Sequence, residues 1–155
     1  MTNFWPSDGA RSNAKSARIE KIERRGNVGS VVLDASAALA LLKHEPGGDA
    51  VRAHVPGAAI SAVNVAEVVD KLSATGLDED KVREFVFTLG AEIVPFDEEF
   101  AFATGMLRPL TRHAGLSLGD RACLALAKRL VLPALTADRS WTALDVGVEV
   151  RLIRK

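Results

Sequence analysis

The chain has 155 residues but only one cysteine, no tyrosine and only 5% aromatic residues. Because a lone thiol cannot form an internal disulfide, we predict that Cys123 is a buried core residue of a protein in a reducing compartment. No stretch approaches the roughly 18 consecutive apolar residues of a membrane span, and the N-terminus lacks the apolar core of a signal peptide. The sequence therefore predicts a cytoplasmic protein with no membrane contact.

An excess of charge of either sign is also lacking, since 20 basic residues balance 20 acidic ones. This balance argues against a domain that binds nucleic acid mainly through net positive charge. The three histidines, His44, His54 and His113, have no spacing that suggests a zinc site. Residues of hydrophobic type make up 48% of the chain, enough for one domain whose core is filled by Ala, Val and Leu.

The first 28 residues differ in composition from the rest. They are polar and basic, and residues 12–25 could form one amphipathic helix with Ile19 and Ile22 as its branched apolar residues. We interpret residues 1–28 as a weakly ordered basic extension, or as a remnant of an expression vector or of an upstream start. Residues 29–155 are predicted to form a single domain.

From Val31 onward, short apolar runs alternate with longer helical patterns. The apolar runs, predicted as buried strands, cover 31–33, 58–61, 93–96, 132–136 and 148–153. The predicted helices cover 35–43, 47–55, 62–75, 79–90, 97–113, 117–131 and 139–145. Strands separated by helices imply parallel pairing. The predicted fold class is α/β, a three-layer α/β/α sandwich around a mainly parallel sheet of about five strands.

Two aspartates directly follow predicted strands. Asp34 comes after the 31–33 run, and Asp138 comes after the 132–136 run. Ligands bind open parallel sheets beyond the carboxyl ends of the strands, which is where both acids are expected to lie. The alternative is that each aspartate only caps the N-terminus of the following helix.

Asp120 lies within an otherwise apolar helical stripe. On a helical wheel of residues 117–131, the other members of this stripe are Cys123, Leu124, Ala127 and Leu130. The alternative role of Asp120 is to form a capping box with Ser117. A cap alone does not require an inward-facing carboxylate, and an unpaired buried charge costs several kcal/mol. The pattern therefore indicates that Asp120 faces a cation.

Glu67 lies in the predicted helix 62–75. The expected buried face of that helix consists of Ala62, Val65, Ala66, Val69 and Leu72. Asn64, Glu67 and Lys71 then share the opposite face, where Glu67 and Lys71 could form a solvated ion pair. The sequence leaves open whether Glu67 belongs to a site or to the surface.

If these acids converge, they require a counter-charge. Two carboxylates 4 Å apart repel by about 4 kcal/mol at an effective dielectric constant of 20. Oxygen ligands of this kind suit Mg²⁺ or Mn²⁺, which keep several waters and bind substrate phosphates.

Four segments together resemble a known family. In order along the chain they read VVLDASA around Asp34, NVAEV around Glu67, LSLGDRA around Asp120 and LTADR around Asp138. They resemble the four motifs of PIN-domain ribonucleases, and in particular of the VapC toxins of bacterial toxin–antitoxin pairs. Each motif alone is weak, but four in this order are specific, and the resemblance covers residues 30 to 155.

The resemblance implies a Mg²⁺- or Mn²⁺-dependent endoribonuclease that cuts structured RNA such as tRNA or rRNA. It also implies a homodimer and a cognate VapB-like antitoxin that inserts a segment into the acidic groove. The residues that match catalytic positions are Asp34, Glu67, Asp120 and Asp138, with Asp34 and Asp120 as metal ligands. The matches to auxiliary polar positions are Ser36, Asn64 and Thr136.

Arg121 and Arg139 each adjoin a site acid and are candidates for phosphate contact, with surface solvation as the alternative. Other functions also remain open. One is an RNA-processing nuclease of the same family without an antitoxin, and another is a binding module that keeps the fold without catalysis. A phosphoacceptor signalling domain would need a lysine at the end of a later strand, and no suitably placed lysine is found.

Overall fold

The computed structural model describes residues 31–155, so the predicted extension over residues 1–28 lies outside the described part of the chain. Five strands form one sheet in the order β3-β2-β1-β4-β5, and every neighbouring pair is parallel. The strands are β1 (Val32–Leu33), β2 (Ala59–Ser61), β3 (Glu92–Val94), β4 (Ala134–Thr136) and β5 (Val150–Leu152).

Helices connect these strands on both faces of the sheet. They are α1 (Ala35–Leu42), α2 (Gly48–Arg52), α3 (Ala62–Ser73), α4 (Glu79–Thr88), α5 (Glu98–Met106), α6 (Arg108–Thr111) and α7 (Leu118–Leu130). Two short 3₁₀ helices cover Arg112–Ala114 and Arg139–Ala143. No helix among residues 31–155 is long and apolar enough to cross a membrane.

The central strand β1 divides the core into two halves. Val32 and Leu33 are both fully buried, and because successive side chains of a strand point to opposite faces, they join different apolar clusters. One cluster packs α5 and α7 against the sheet around Phe100 and Trp141. The other packs α1, α3 and α4 on the opposite face. This arrangement confirms the predicted α/β/α sandwich with a five-stranded parallel sheet.

The predicted helix over 97–113 is wrong as a single element. The structure ends α5 at Met106 and starts α6 at Arg108, with Pro109 in its first turn. Proline has no N–H to donate, and its ring clashes with the carbonyl four residues earlier, which here belongs to Gly105. A continuous helix cannot pass this point, and the chain turns instead.

Two further expectations need correction. The predicted helix over 139–145 is a 3₁₀ helix that ends at Ala143. The predicted buried face of α3 is also wrong, because Ala66 and Val69 are exposed, whereas Asn64 and Val68 are buried with Leu72. The inner face of α3 thus contains the polar residue Asn64 where the sequence pattern predicted alanine. The burial of Asn64 is explained by its hydrogen bonds to residues outside the helix.

Candidate active site

Asp34 lies at the carboxyl end of the central strand β1 and is 4% exposed. Its Oδ2 accepts hydrogen bonds from the Ser36 hydroxyl at 2.6 Å, the Thr136 hydroxyl at 3.0 Å and the Ser36 amide at 3.3 Å. The last of these bonds makes Asp34 the N-cap of α1. The capping alternative is therefore correct, but the cap also fixes a buried carboxylate at the edge of the sheet.

Asn64 joins the elements that surround Asp34. Its side-chain amide donates to Glu67 Oε2 at 3.0 Å and to the Gly119 carbonyl at 3.1 Å, and lies 3.5 Å from Asp34 Oδ1. Its Oδ1 accepts from the Ser61 hydroxyl at 2.6 Å. Because an amide has two N–H donors, the two shorter bonds use both, and the contact to Asp34 is weak.

Glu67 lies about one turn after Asn64 on α3 and is half-buried. It faces Gly119, where an added Cβ would overlap the Glu67 carboxylate. The first turn of α7 thus approaches Glu67 as closely as it does because residue 119 has no side chain. This contact places the Glu67 carboxylate beside the first turn of α7, while the charge of Lys71 also acts on it and lowers its pKa.

Asp120 is part of a capping box at the start of α7. Its Oδ2 accepts from the Ser117 amide at 2.7 Å, and its own amide donates to the Ser117 hydroxyl at 3.1 Å. The other residues of the predicted stripe are buried, whereas Asp120, in the first turn of α7, is partly exposed. The capping role is therefore confirmed, and the cap holds Asp120 near enough to Asp34 and Glu67 for its charge to act on both.

Asp138 lies further out than the other three acids. It is exposed, and its Oδ1 accepts from the Ser140 amide at 2.8 Å as the cap of the 3₁₀ helix 139–143. The Asp138 amide donates to the Thr136 hydroxyl at 3.1 Å, and the neighbouring amide of Ala137 donates to the Ser36 hydroxyl at 2.9 Å. The loop after β4 is thereby tied to the hydroxyls that bind Asp34.

Burial and neighbouring negative charge both raise the pKa values of Asp34 and Glu67. Burial raises the pKa of Asp34, hydrogen bonds from Ser36 and Thr136 lower it, and the charge of Asp120 raises it further. Burial also raises the pKa of Glu67, the bond from Asn64 lowers it, and the charges of Asp34 and Asp120 raise it. The charge of Asp120 thus lies close enough to Asp34 and Glu67 to disfavour the ionised forms of both.

Cys123 lies beneath these acids. It is fully buried, as predicted, and burial raises the pKa of its thiol well above the usual value, with added contributions from Asp34, Asp120 and Glu67. A thiol with a raised pKa holds little of the nucleophilic thiolate at neutral pH. Cys123 therefore serves the core rather than the chemistry.

The two candidate arginines occupy different environments. Arg139 is exposed next to Asp138 at the rim of the site. Arg121 is only 9% exposed, and its Nη1 donates to the Thr104 carbonyl of α5 at 3.3 Å. The position of Arg121 favours a role in packing α7 against α5.

The donor set suits a cation that keeps part of its hydration. Within residues 31–155, no group of three His, Cys, Asp or Glu side chains lies close enough together to hold a metal ion. Mg²⁺ and Mn²⁺ need fewer protein ligands, because one or two carboxylates with waters and phosphate oxygens complete their shells. Asp34 and Asp120 have the required oxygen chemistry, and the repulsion among the inner acids would be relieved by a bound cation.

The sequence pointed to acids at this edge but did not reveal the contacts that support them. Ser61 and Gly119 were not identified, although Ser61 fixes the Asn64 amide and Gly119 makes room for Glu67. The one available signal was a glycine in the first turn of a helix next to a site acid. Glycine destabilises a helix, so a glycine within one often marks a place where another group packs closely against the backbone.

The fold and the site define a class, namely parallel α/β proteins with carboxylates clustered at the carboxyl edge of the sheet. The sequence profile of the PIN domain matches residues 31–147. The chain therefore belongs to the PIN domain family. No curated protein sequence matches it significantly.

Solved structures with the same fold include a toxin–antitoxin complex, a DNA-bound VapBC and FitAcB. A toxin–antitoxin complex from Klebsiella pneumoniae has 20% identity and a TM-score of 0.64, over 81% of this chain and 98% of that chain. DNA-bound VapBC from Salmonella typhimurium has 17% identity and a TM-score of 0.64, over 81% and 99%. FitAcB from Neisseria gonorrhoeae has 26% identity and a TM-score of 0.55, over 77% and 95%.

Proposed function

We propose that this protein is a metal-dependent endoribonuclease and the toxin of a toxin–antitoxin pair. The observation that carries the proposal is the convergence of Asp34, Glu67 and Asp120 at the carboxyl edge of the sheet in a PIN-family chain. Structured RNA such as tRNA or rRNA is the proposed substrate, and the cytoplasm, where such RNA is found, is the proposed site of action.

Asp34 and Asp120 would hold Mg²⁺ or Mn²⁺, with Glu67 and Asp138 adding charge around the ion. A bound ion of this kind supplies a Lewis acid for a phosphoryl oxygen and lowers the pKa of a bound water. Ser36 and Thr136 keep the Asp34 carboxylate in one orientation through their bonds to Oδ2, which leaves Oδ1 directed toward the site.

Glu67 is the candidate for proton transfer, because its raised pKa lies closer to neutrality than that of an ordinary glutamate. In the proposed hydrolysis, the oxygen of a water attacks phosphorus while its proton passes to Glu67. The bond from phosphorus to the 3′ oxygen breaks, and that oxygen takes up a proton from solvent water. Asn64 holds the Glu67 carboxylate through its 3.0 Å bond, and exposed Arg139 would contact phosphate.

An antitoxin partner is proposed because several proteins of the same fold are solved as toxin–antitoxin complexes. A VapB-like antitoxin would cover the acidic edge with a basic side chain. A homodimer is proposed as well. Its candidate surface is the apolar stripe on α5 and α6, where Phe102, Met106 and Leu110 are 69%, 71% and 51% exposed.

The nuclease is tested by incubating the purified full chain with total RNA, with and without Mg²⁺ or Mn²⁺. We expect cleavage that requires metal and that Asp34→Asn reduces by at least about 100-fold, as for loss of a metal ligand. Asp49→Asn is the matched control, since Asp49 is an exposed acid on α2. Cleavage that persists in Asp34→Asn would reject the proposed site, and no cleavage of any RNA would favour a binding module.

A further inference from the structure

A wide apolar groove lies between α3, α4 and the edge strand β3, away from the acids. Its volume is about 1120 Å³, and its apolar lining consists mainly of Val65, Val69, Val82, Val86, Phe87 and Ile93. Phe87 is 86% exposed at the groove, and Val69 and Ile93 are each 37% exposed. Contiguous apolar surface of this kind marks an interaction site on a protein.

The start of β1, to which the preceding segment is joined, lies close to this groove. Val32 of β1 is in register with Ala59 of β2, and Ala59 with Glu92 of β3. At about 4.8 Å between strands, the start of β1 lies about 10 Å from the start of β3. Gly90, Ala91 and Ile93, which line the groove, are within two residues of Glu92.

The length of the preceding segment is sufficient to cover the groove. Residues 26–30 can span up to about 17 Å when extended, more than the distance from β1 to β3. Residues 12–25, which have the sequence pattern of an amphipathic helix, would be about 21 Å long in that conformation. The segment can therefore reach along α3 and α4 without disturbing β1.

Charge favours the same pairing. Residues 1–30 contain six basic and three acidic residues, whereas residues 62–91, which form α3, α4 and their connection, contain six acidic and three basic ones. Two of the three bases of residues 62–91 already pair within α4, Lys81 with Glu84 and Arg83 with Glu79. Of the six acids, exposed Asp70 and Asp80 are each next in sequence to a residue that lines the groove, Val69 and Glu79.

We infer that the N-terminal segment of this chain docks in the groove between α3, α4 and β3. Phe4, Trp5, Ile19 and Ile22 supply its large apolar side chains, and its basic residues face the acidic rim. The docked segment covers Phe87 and the edge strand β3, whose unpaired backbone groups would otherwise be open to pairing with another chain. This role does not depend on the nuclease activity.

The test is limited trypsin digestion of the full-length protein, with cleavage after Arg18, Lys21, Arg24 and Arg25 quantified by mass spectrometry. Cleavage after exposed Arg112 serves as the internal reference. Since proteolysis follows the undocked population, Phe87→Glu is expected to speed cleavage in the segment by at least about tenfold. The matched control is Val131→Glu, which replaces another exposed apolar residue, directly after α7, and is expected to leave these rates unchanged.

Ile22→Glu changes the N-terminal segment instead of the groove, and it should speed cleavage in the same way. It tests the inference even if Phe87→Glu fails to fold. Equal cleavage in the wild type, Phe87→Glu and Ile22→Glu would overturn the inference. Protection that disappears on dilution would overturn it too, because the groove would then be covered by a second copy. Protection that is independent of concentration and is lost in both groove and segment variants supports docking within one chain.

Discussion

Gly119 is the residue at which backbone packing and the chemistry of the site are most closely linked. It lies in the first turn of α7, its carbonyl accepts from Asn64, and a Cβ there would overlap the Glu67 carboxylate. Any side chain at this position must displace either Glu67 or the helix. Because a Cβ would meet only the carboxylate end of Glu67, it is the position of that carboxylate that depends on this glycine.

We therefore expect Gly119→Ala to lower the rate of RNA cleavage by about 10- to 100-fold, since a displacement of about 1 Å can cost 10²-fold. The measurement is kcat for a defined RNA, with thermal unfolding followed in parallel. Gly105→Ala is the control, because a Cβ at Gly105 in α5 meets nothing within 4 Å. It should leave kcat unchanged and stabilise the protein by up to about 1 kcal/mol. A wild-type rate in Gly119→Ala would contradict the assigned role of Glu67.

At the scale of the elements, the acids of the site are also the residues that start helices. Asp34 caps α1, Asp120 completes the capping box of α7, and Asp138 caps the 3₁₀ helix 139–143. Helix N-termini present backbone N–H groups and a partial positive charge, both of which favour carboxylates. The same geometry that starts each helix therefore gathers negative charge at one edge of the sheet.

The two partners of the capping box should separate stability from activity. Ser117→Ala removes the hydroxyl that accepts from the Asp120 amide and should cost about 0.5–2 kcal/mol of unfolding free energy. Asp120→Asn keeps an oxygen that can accept from the Ser117 amide, so it should change stability little and reduce cleavage by about 100-fold. Urea unfolding and cleavage rates are measured on both variants. Equal losses of activity would show that Asp120 acts only as a cap.

The sequence predicted the strands better than the ends and faces of the helices. Strand positions were confirmed to within a few residues, because buried parallel strands have distinctive short apolar runs. The break at Pro109 was missed, although proline predicts it, because the apolar pattern continues on both sides. The inner face of α3 was assigned wrongly because the assignment followed hydrophobicity alone. Asn64 lies on that face because its side chain bonds to Ser61, Glu67 and Gly119.

For the whole molecule, clustered carboxylates make stability depend on pH and on metal. The folded-state pKa values of Asp34 and Glu67 are both raised, so the folded protein retains protons that the unfolded chain has released. The contribution of these groups to unfolding free energy therefore falls as pH rises from their unfolded values, about 4, through the raised ones. Below pH 4 both states are protonated and this penalty disappears.

Metal-free Asp34→Asn protein should consequently melt about 2–5 °C above the wild type at pH 7.5, with a smaller difference at pH 4. Added Mg²⁺ or Mn²⁺ should raise the Tm of the wild type and leave that of Asp34→Asn unchanged, since a ligand stabilises only the state that binds it. Differential scanning calorimetry measures both effects, with Asp49→Asn as the control. A lower Tm for Asp34→Asn at pH 7.5 would contradict this expectation. It would show that the hydrogen bonds from Ser36 and Thr136 stabilise the Asp34 carboxylate by more than burial and the charge of Asp120 destabilise it.

The sequence by itself determined the alternation of strands and helices and the acids that follow the strands, because these depend on local periodicity and on residue type along the chain. It also determined the lone buried thiol and the balance of charge. Only the tertiary structure decided that Glu67 faces the site, that Arg121 is buried against α5 and that Asn64 links α3 to α7. Those outcomes depend on contacts between residues up to 55 positions apart, whose geometry exists only once the sheet and helices have packed.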